Sequence, residues 1–393
     1  MKVQVFNCTI RLASLALCCG VVLTACGGGG STAPETPVPL PLPLPLPLPL
    51  PLPLPLPLPT GEPQAGNAAG SAVVPAAGQA VNSSTPTRIV GTGTPASCTG
   101  AAVVSAVAQG GIITFNCGAA PVTILMSNTA KVFNDKPDVT LDGGGKVTLD
   151  GGGAVRILYQ NTCDSAQVFT TAQCQNQELP RLTVQNITLR NGNSTGQTAE
   201  GGGGGAIFVR GGQFKIVNSR FFNNQCDAVG PDVGGGAVRT LSIYNNKPVY
   251  VVNSTFGGAA GLGNKCSNGG ALSSIGVSYS VLNSVFTHNE AIGNGANPAQ
   301  AGKPGGGSGG AIYNDGNTFN LMLSGSIFQD NTANEGGGAV FYVSNDRSGS
   351  LSIMNSNFVR NVSRGFETAP YLGFFIIAAP GQPVSSGSTF SAN

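Results

Sequence analysis

Tryptophan is absent, histidine occurs once, and only 9% of the 393 residues are charged. Each scarcity excludes something. The one histidine, His288, lies between Thr287 and Asn289 and reads as a turn residue, not as part of a triad or a metal site. No Cys-x-x-Cys occurs beyond residue 25, so structural zinc is not expected. Basic and acidic side chains balance beyond that point, and no basic stripe speaks for nucleic acid. Glu, Lys and Arg are too few for a helical protein, while Asn, Ser, Thr, Val and Gly are plentiful. That mixture favours strands punctuated by turns.

What the chain does have is order. Gly-Gly-Ala followed by an aliphatic residue recurs at Gly204–Ile207, Gly235–Val238, Gly269–Leu272, Gly309–Ile312 and Gly337–Val340. Between these copies stands Phe-x-x-Asn, at Phe221, Phe286, Phe328, Phe358 and Phe390. Phe256 adds a copy with Ala259 in the asparagine place, and Leu189 with Gly192 reads as a decayed one. Asn-Ser-x-Phe surrounds several of them, at Asn218, Asn253, Asn283 and Asn355. A fixed order at a near-fixed spacing marks a stacked repeat protein. Segments such as Phe214–Val217 and Leu351–Met354 alternate apolar and polar residues, as half-buried strands do. The expected architecture is an all-β solenoid of parallel strands, with phenylalanine on phenylalanine inside, asparagine at bends and glycine at corners. The tandem pair Asp142–Leu149 and Asp150–Ile157 reads as strand, glycine turn and strand. The insert Ala291–Ser308 reads as a loop bulging from the coil. Thr99–Ala108 suits a short helix that would cap the open end of the strand array.

The front of the chain differs in kind. Residues 1–25 read as an export signal, with Lys2 and Arg11 ahead of the apolar run Leu12–Val22. Leu23-Thr24-Ala25-Cys26 resembles a bacterial lipoprotein lipobox, which implies cleavage before Cys26 and lipidation of its sulfur. Gly27 at the next position implies sorting to the outer membrane by the same resemblance. Residues 26–97 are expected to be linker, first an unbroken Pro-Leu alternation from Pro39 to Pro59 and then a Gly/Ala/Ser/Pro-rich stretch. The alternation excludes helix and central strand. As polyproline II it would span about 65 Å. Folding is expected to start near Cys98 and to fill residues 98–393. Six cysteines lie there, Cys98, Cys117, Cys163, Cys174, Cys226 and Cys266, and an exported even set suggests disulfides. Pairing them in sequence would staple three local loops.

The repeated tetrapeptides resemble those of the polymorphic outer membrane proteins, within the pectate-lyase-like right-handed parallel β-helix class. The resemblance covers residues 98–393 and implies that fold. A lipid anchor at Cys26 is expected to take the place of the C-terminal translocator barrel that those proteins carry. β-Helices also host polysaccharide lyases and hydrolases, so function must be read from sites. The Asp-Asp, Gly-His-Gly and Arg-x-Lys signatures of polygalacturonase-like enzymes are missing. For eliminative chemistry Arg210, Lys215, Arg220 and Arg239 lie in consecutive coils and could gather near Asp227 or Asp232. The residues following each Gly-Gly-Ala-aliphatic motif, Phe208, Arg239, Ser273, Tyr313 and Phe341, would form an outward strip suited to sugar rings or a protein, unless the pleat runs the other way and buries them. Three functions stay open: a surface or periplasmic binding and adhesion module, with polysaccharide or a host or cell-surface protein as partner; a polysaccharide lyase or other carbohydrate-active enzyme; and a structural envelope protein. No cofactor or metal is expected in any of them.

Overall fold

The computed structural model describes residues 61–393. The export signal, Cys26 and the Pro-Leu alternation lie outside the described residues. Three strands make up a typical coil, as in Gln213–Val217, Arg220–Phe222 and Val238–Leu241. Each pairs, parallel and in register, with the same strand of the coils before and after it. The result is a right-handed parallel β-helix with three faces, named here first, second and third in the order of those strands. A short additional ladder runs from Lys265–Cys266 through Glu290–Ala291 and Thr332–Ala333 to Val362–Ser363.

The interior is filed like upon like. Phe221, Phe256, Phe286, Phe328, Phe358 and Phe390 form one stack, with ring centroids 4.6, 4.7, 4.7, 4.8 and 5.1 Å apart and nearly parallel planes. Leu189 holds the same register position one coil earlier. Each ring buries a large apolar surface, and each stacked pair adds about 0.5–1.5 kcal/mol. The aliphatic residues of the glycine motifs, Ile207, Val238, Leu272, Ile312 and Val340, form a second buried file in register. The first glycine of each motif is left-handed, as at Gly309 (φ 71°), where a Cβ would strike the Ile312 carbonyl. At the second, a Cβ on Gly310 would come within 2.0 Å of the carbonyl oxygen of Gly338. Only glycine fits either place.

Asparagine supplies the polar counterpart. Asn224, Asn264, Asn289, Asn331 and Asn361 form a ladder in which each Nδ2 donates to the next residue's Oδ1 at 2.8–2.9 Å. Each Nδ2 also donates to the backbone carbonyl at the phenylalanine position of the preceding coil, as Asn289 does to Phe256 (3.0 Å). Ala259 does not occupy the asparagine place after Phe256. The chain makes a short excursion at Gly257–Leu262 and returns with Asn264 in the ladder. A parallel serine ladder, Ser219 to Ser388, binds coil to coil through hydroxyl oxygens that accept backbone N–H groups. Asn186, Asn218, Asn253, Asn283 and Asn355 turn the first face into the second in the left-handed region that asparagine tolerates.

Gly100–Gln109 is the capping helix, opened by Thr99, whose Oγ1 accepts from the Ala102 N–H, and ended by Gly110. Its Val103 and Val107 close the N-terminal end of the core. The cysteines pair in sequence: Cys98–Cys117, Cys163–Cys174 and Cys226–Cys266. One expectation is corrected. Residues 61–97 are not free linker but a strap laid along the outside of the solenoid. Arg88–Val90 pairs with Gly111–Phe115 as a strand. Farther out, Ala72 exchanges both backbone hydrogen bonds with the Asn283 amide (2.8 and 2.9 Å), and Val81 does the same with Gln185 (2.8 and 2.8 Å). The strap also covers Val217, Val252 and Leu282 with Ala72 and Val74. Among the described residues no helix is long and apolar enough to cross a membrane.

Candidate functional site

The outward row of the third face runs Lys131, Tyr159, Phe208, Arg239, Ser273, Tyr313, Phe341 and Phe375, one residue per coil. The pleat therefore does send Phe208, Arg239, Tyr313 and Phe341 away from the core. They are nevertheless buried, which corrects the expectation of an exposed strip. Loops fold back over them. The Ala291–Ser308 insert places Asn297 within hydrogen-bond distance of both Asp232 and Tyr313 (3.1 Å each), and Phe366 packs edge-on against Phe375 beside Phe341. Under this cover Arg239 donates to the Ser273 hydroxyl (2.6 Å) and to the Asp232 carbonyl. Burial draws its guanidinium down to about 10. Tyr313 donates to Asp315 (3.1 Å), and burial holds its hydroxyl well above the usual phenol range. Closed in this way, the middle of the strip is a tie between coils and loops.

An open groove of about 700 Å³ lies on the first face. Its floor is the outward row Ile112, Thr140, Thr183, Lys215 and Tyr250, again one residue per coil. The strap forms one wall, through Ala77 and Val81, and Ile243, Lys247 and Pro248 contribute to its rim. Beside the floor Arg181 grips Asp138 with two hydrogen bonds (2.7 and 3.0 Å). Lys215 donates to the strap carbonyls of Gln79 (2.7 Å) and Ala77 (3.3 Å), and burial lowers its ammonium from the ordinary lysine value. The same row continues past the groove as Ser280, Met322 and Ser352.

The basic residues of consecutive coils do not converge. Lys215 is on the first face, Arg220 on the second beside Glu62 (3.3 Å), and Arg210 ends the third-face strand Ile207–Arg210. Arg239 donates to the Asp232 backbone carbonyl, under cover. Asp227 accepts from the Gly196 N–H (2.9 Å), fixing one loop to the next. Among the described residues no three His, Cys, Asp or Glu side chains gather as a metal site. Sequence reasoning missed Arg156 and Tyr159, which form a second opening where the third-face strip emerges from its loops. A Gly-Gly-Ala-aliphatic copy, Gly152–Val155, does stand ahead of them, with Arg156 directly after it and Tyr159 three residues farther on, one coil before Phe208. Comparison with known proteins yields no matching family model, curated protein or solved structure.

Proposed function

We propose that this chain is an exported envelope protein, lipid-anchored to the outer membrane at Cys26, that binds polysaccharide along the first face of its β-helix. The observation that carries this reading is the groove floored by Thr140, Thr183, Lys215 and Tyr250. Lys215 and Tyr250 stand on adjacent coils at the strand spacing of about 4.8 Å, with Thr140 and Thr183 largely buried beside them, so a linear glycan lying across the coils would meet an ammonium and then an aromatic ring. Arg181 and Asp138 neutralise one another, and Lys215 with Lys247 biases the groove toward acidic chains. The likeness of the repeats to those of polymorphic outer membrane proteins, and a spacer of proline and leucine behind a lipobox, favour an adhesion-type role outside the inner membrane. Eliminative catalysis has weaker support, because the candidate bases and acids are spread over three faces and Lys215 is already held by two carbonyls. A glycan array on the full chain, with Lys215→Ala and Tyr250→Ala beside it, tests the reading. Retention of acidic glycans by the parent and weaker retention by both variants supports it. Equal retention by all three, or release of unsaturated uronate products, overturns it.

A further inference from the structure

The opening at the start of the third-face strip is a separate site, with residues the groove does not share. It has a volume of about 390 Å³ and is walled by Lys131, Arg156, Tyr159, Asp164, Gln197 and Phe208. Arg156 is 5% exposed. Its Nε and Nη2 donate to the carbonyls of Gly204 (3.0 Å) and Gly203 (2.8 Å), and its guanidinium carbon lies 5.1 Å from the ring centre of Phe208 and 5.7 Å from that of Tyr159. Among the described residues no carboxylate pairs with it and Nη1 has no hydrogen-bond partner. Burial draws its guanidinium down to about 10, so it remains charged at neutral pH. A buried, hydrogen-bonded cation without a counter-charge is costly, and it is held here in place beside an open cavity. Arg239, one coil beyond Phe208 in the outward row, is likewise buried but has loops folded over it.

The other walls say what kind of anion fits. Tyr159 stacks on Phe208 (5.5 Å between centroids) and stays half-exposed, offering a ring face. Its hydroxyl donates to Asp164 (3.1 Å) and accepts from Asn161 (2.9 Å). Burial works to raise the Asp164 carboxyl, but hydrogen bonds from Gln167, Ala166 and Tyr159 outweigh it and keep the group ionised. An ionised Asp164 beside the cavity repels a multiply charged phosphate, yet accepts hydrogen bonds from sugar hydroxyls. From these contacts we infer that the cavity is a subsite for a single sugar carboxylate, with the carboxylate on Arg156 and Lys131 and the sugar ring against Tyr159.

The test is calorimetric titration of the full chain with trigalacturonate and with trigalactose of the same linkage. The acid is expected to bind at least about tenfold more tightly, equivalent to about 1.4 kcal/mol. Lys215→Ala, which weakens the groove, leaves the preference intact, and in that background Arg156→Gln removes it and Tyr159→Ala weakens the acid about tenfold. The Lys215→Ala arm separates the subsite from the groove: loss of groove binding in Lys215→Ala leaves the Arg156-dependent preference standing. Equal affinities, no binding of the acid, a preference surviving Arg156→Gln, or one abolished by Lys215→Ala would each overturn the inference. Should Arg156→Gln fail to fold by circular dichroism, Lys131→Ala and Tyr159→Ala decide, and a full preference in both overturns it.

Discussion

Replacing Asn289 by alanine isolates the contribution of the buried asparagine ladder. The Asn289 Oδ1 accepts from the Asn264 backbone N–H (3.1 Å) and from its Nδ2 (2.9 Å), while Nδ2 donates to Asn331 Oδ1 (2.9 Å) and to the Phe256 carbonyl (3.0 Å). Not all four partners are stranded by the change. Asn264 Nδ2 keeps the Phe221 carbonyl, and Asn331 Oδ1 keeps the Asn289 backbone N–H. One group is left buried without a partner, the Asn264 N–H, because the Phe256 C=O keeps its place in the strand ladder. At about 1–3 kcal/mol for an unsatisfied buried group, the variant should lose about 1–3 kcal/mol. Urea unfolding followed by circular dichroism reads the loss as a shift in midpoint. Ser280→Ala, an outward change on the same coil with no side-chain hydrogen bond to lose, should stay within about 0.5 kcal/mol. If Asn289→Ala matched Ser280→Ala, the ladder would be geometry without energy, and the reasoning would fail.

Other consequences follow from the same contacts. Phe286→Ala opens a cavity in the middle of the aromatic file and should cost about 3–5 kcal/mol in the same unfolding assay. Gly310→Ala forces a Cβ against the Gly338 carbonyl, and a loss of about 1–3 kcal/mol is expected from its thermal midpoint. The Asp142 carboxyl feels burial pushing it up, but hydrogen bonds from Ser83, Gln185, Gly144 and Asn186 hold it below its ordinary value near 3.8. Because the folded value is the lower one, this contribution is complete above that ordinary value and fades as pH falls through the depressed one. Protection factors at Val81 and its neighbours in the strap, corrected for the intrinsic pH dependence of amide exchange, should therefore fall on acidification below pH 3.8, and a flat profile would contradict the assignment.

The solenoid was legible because its signal is periodic and local: a phenylalanine or glycine motif every coil states its own register. Cys98–Cys117 and the capping helix were legible for the same reason, lying within one coil. The strap was not. Its Gly/Ala/Ser/Pro composition has no pattern of its own, and its order is imposed by side-chain amides such as Asn283 and Gln185, more than a hundred residues away. Asn264 was hidden by an insertion that moved the asparagine off its usual spacing after Phe256. Alternation pointed Phe208, Arg239, Tyr313 and Phe341 out of the core correctly, but loops such as the one carrying Asn297 then covered them, and burial by a loop leaves no mark on the strand beneath. Arg156 shows the converse: its role comes from carbonyls at Gly203 and Gly204, forty-odd residues on, which no local reading connects to it.

The stacking order of the coils is the claim on which both binding sites depend, and paired cysteines on the first face measure it directly. Ser280 and Met322 are lateral neighbours, and Met322 is the neighbour of Ser352, so Ser280 and Ser352 are two coils apart. Adjacent parallel strands lie about 4.8 Å apart, within the span of a disulfide, and alternate ones about 9.6 Å, beyond it. Under mild oxidation the Ser280→Cys/Met322→Cys variant should close to a single cross-link seen by mass spectrometry, and Ser280→Cys/Ser352→Cys should remain reduced. A cross-link in the second variant with none in the first would contradict the stacking order from which the groove and the subsite are built.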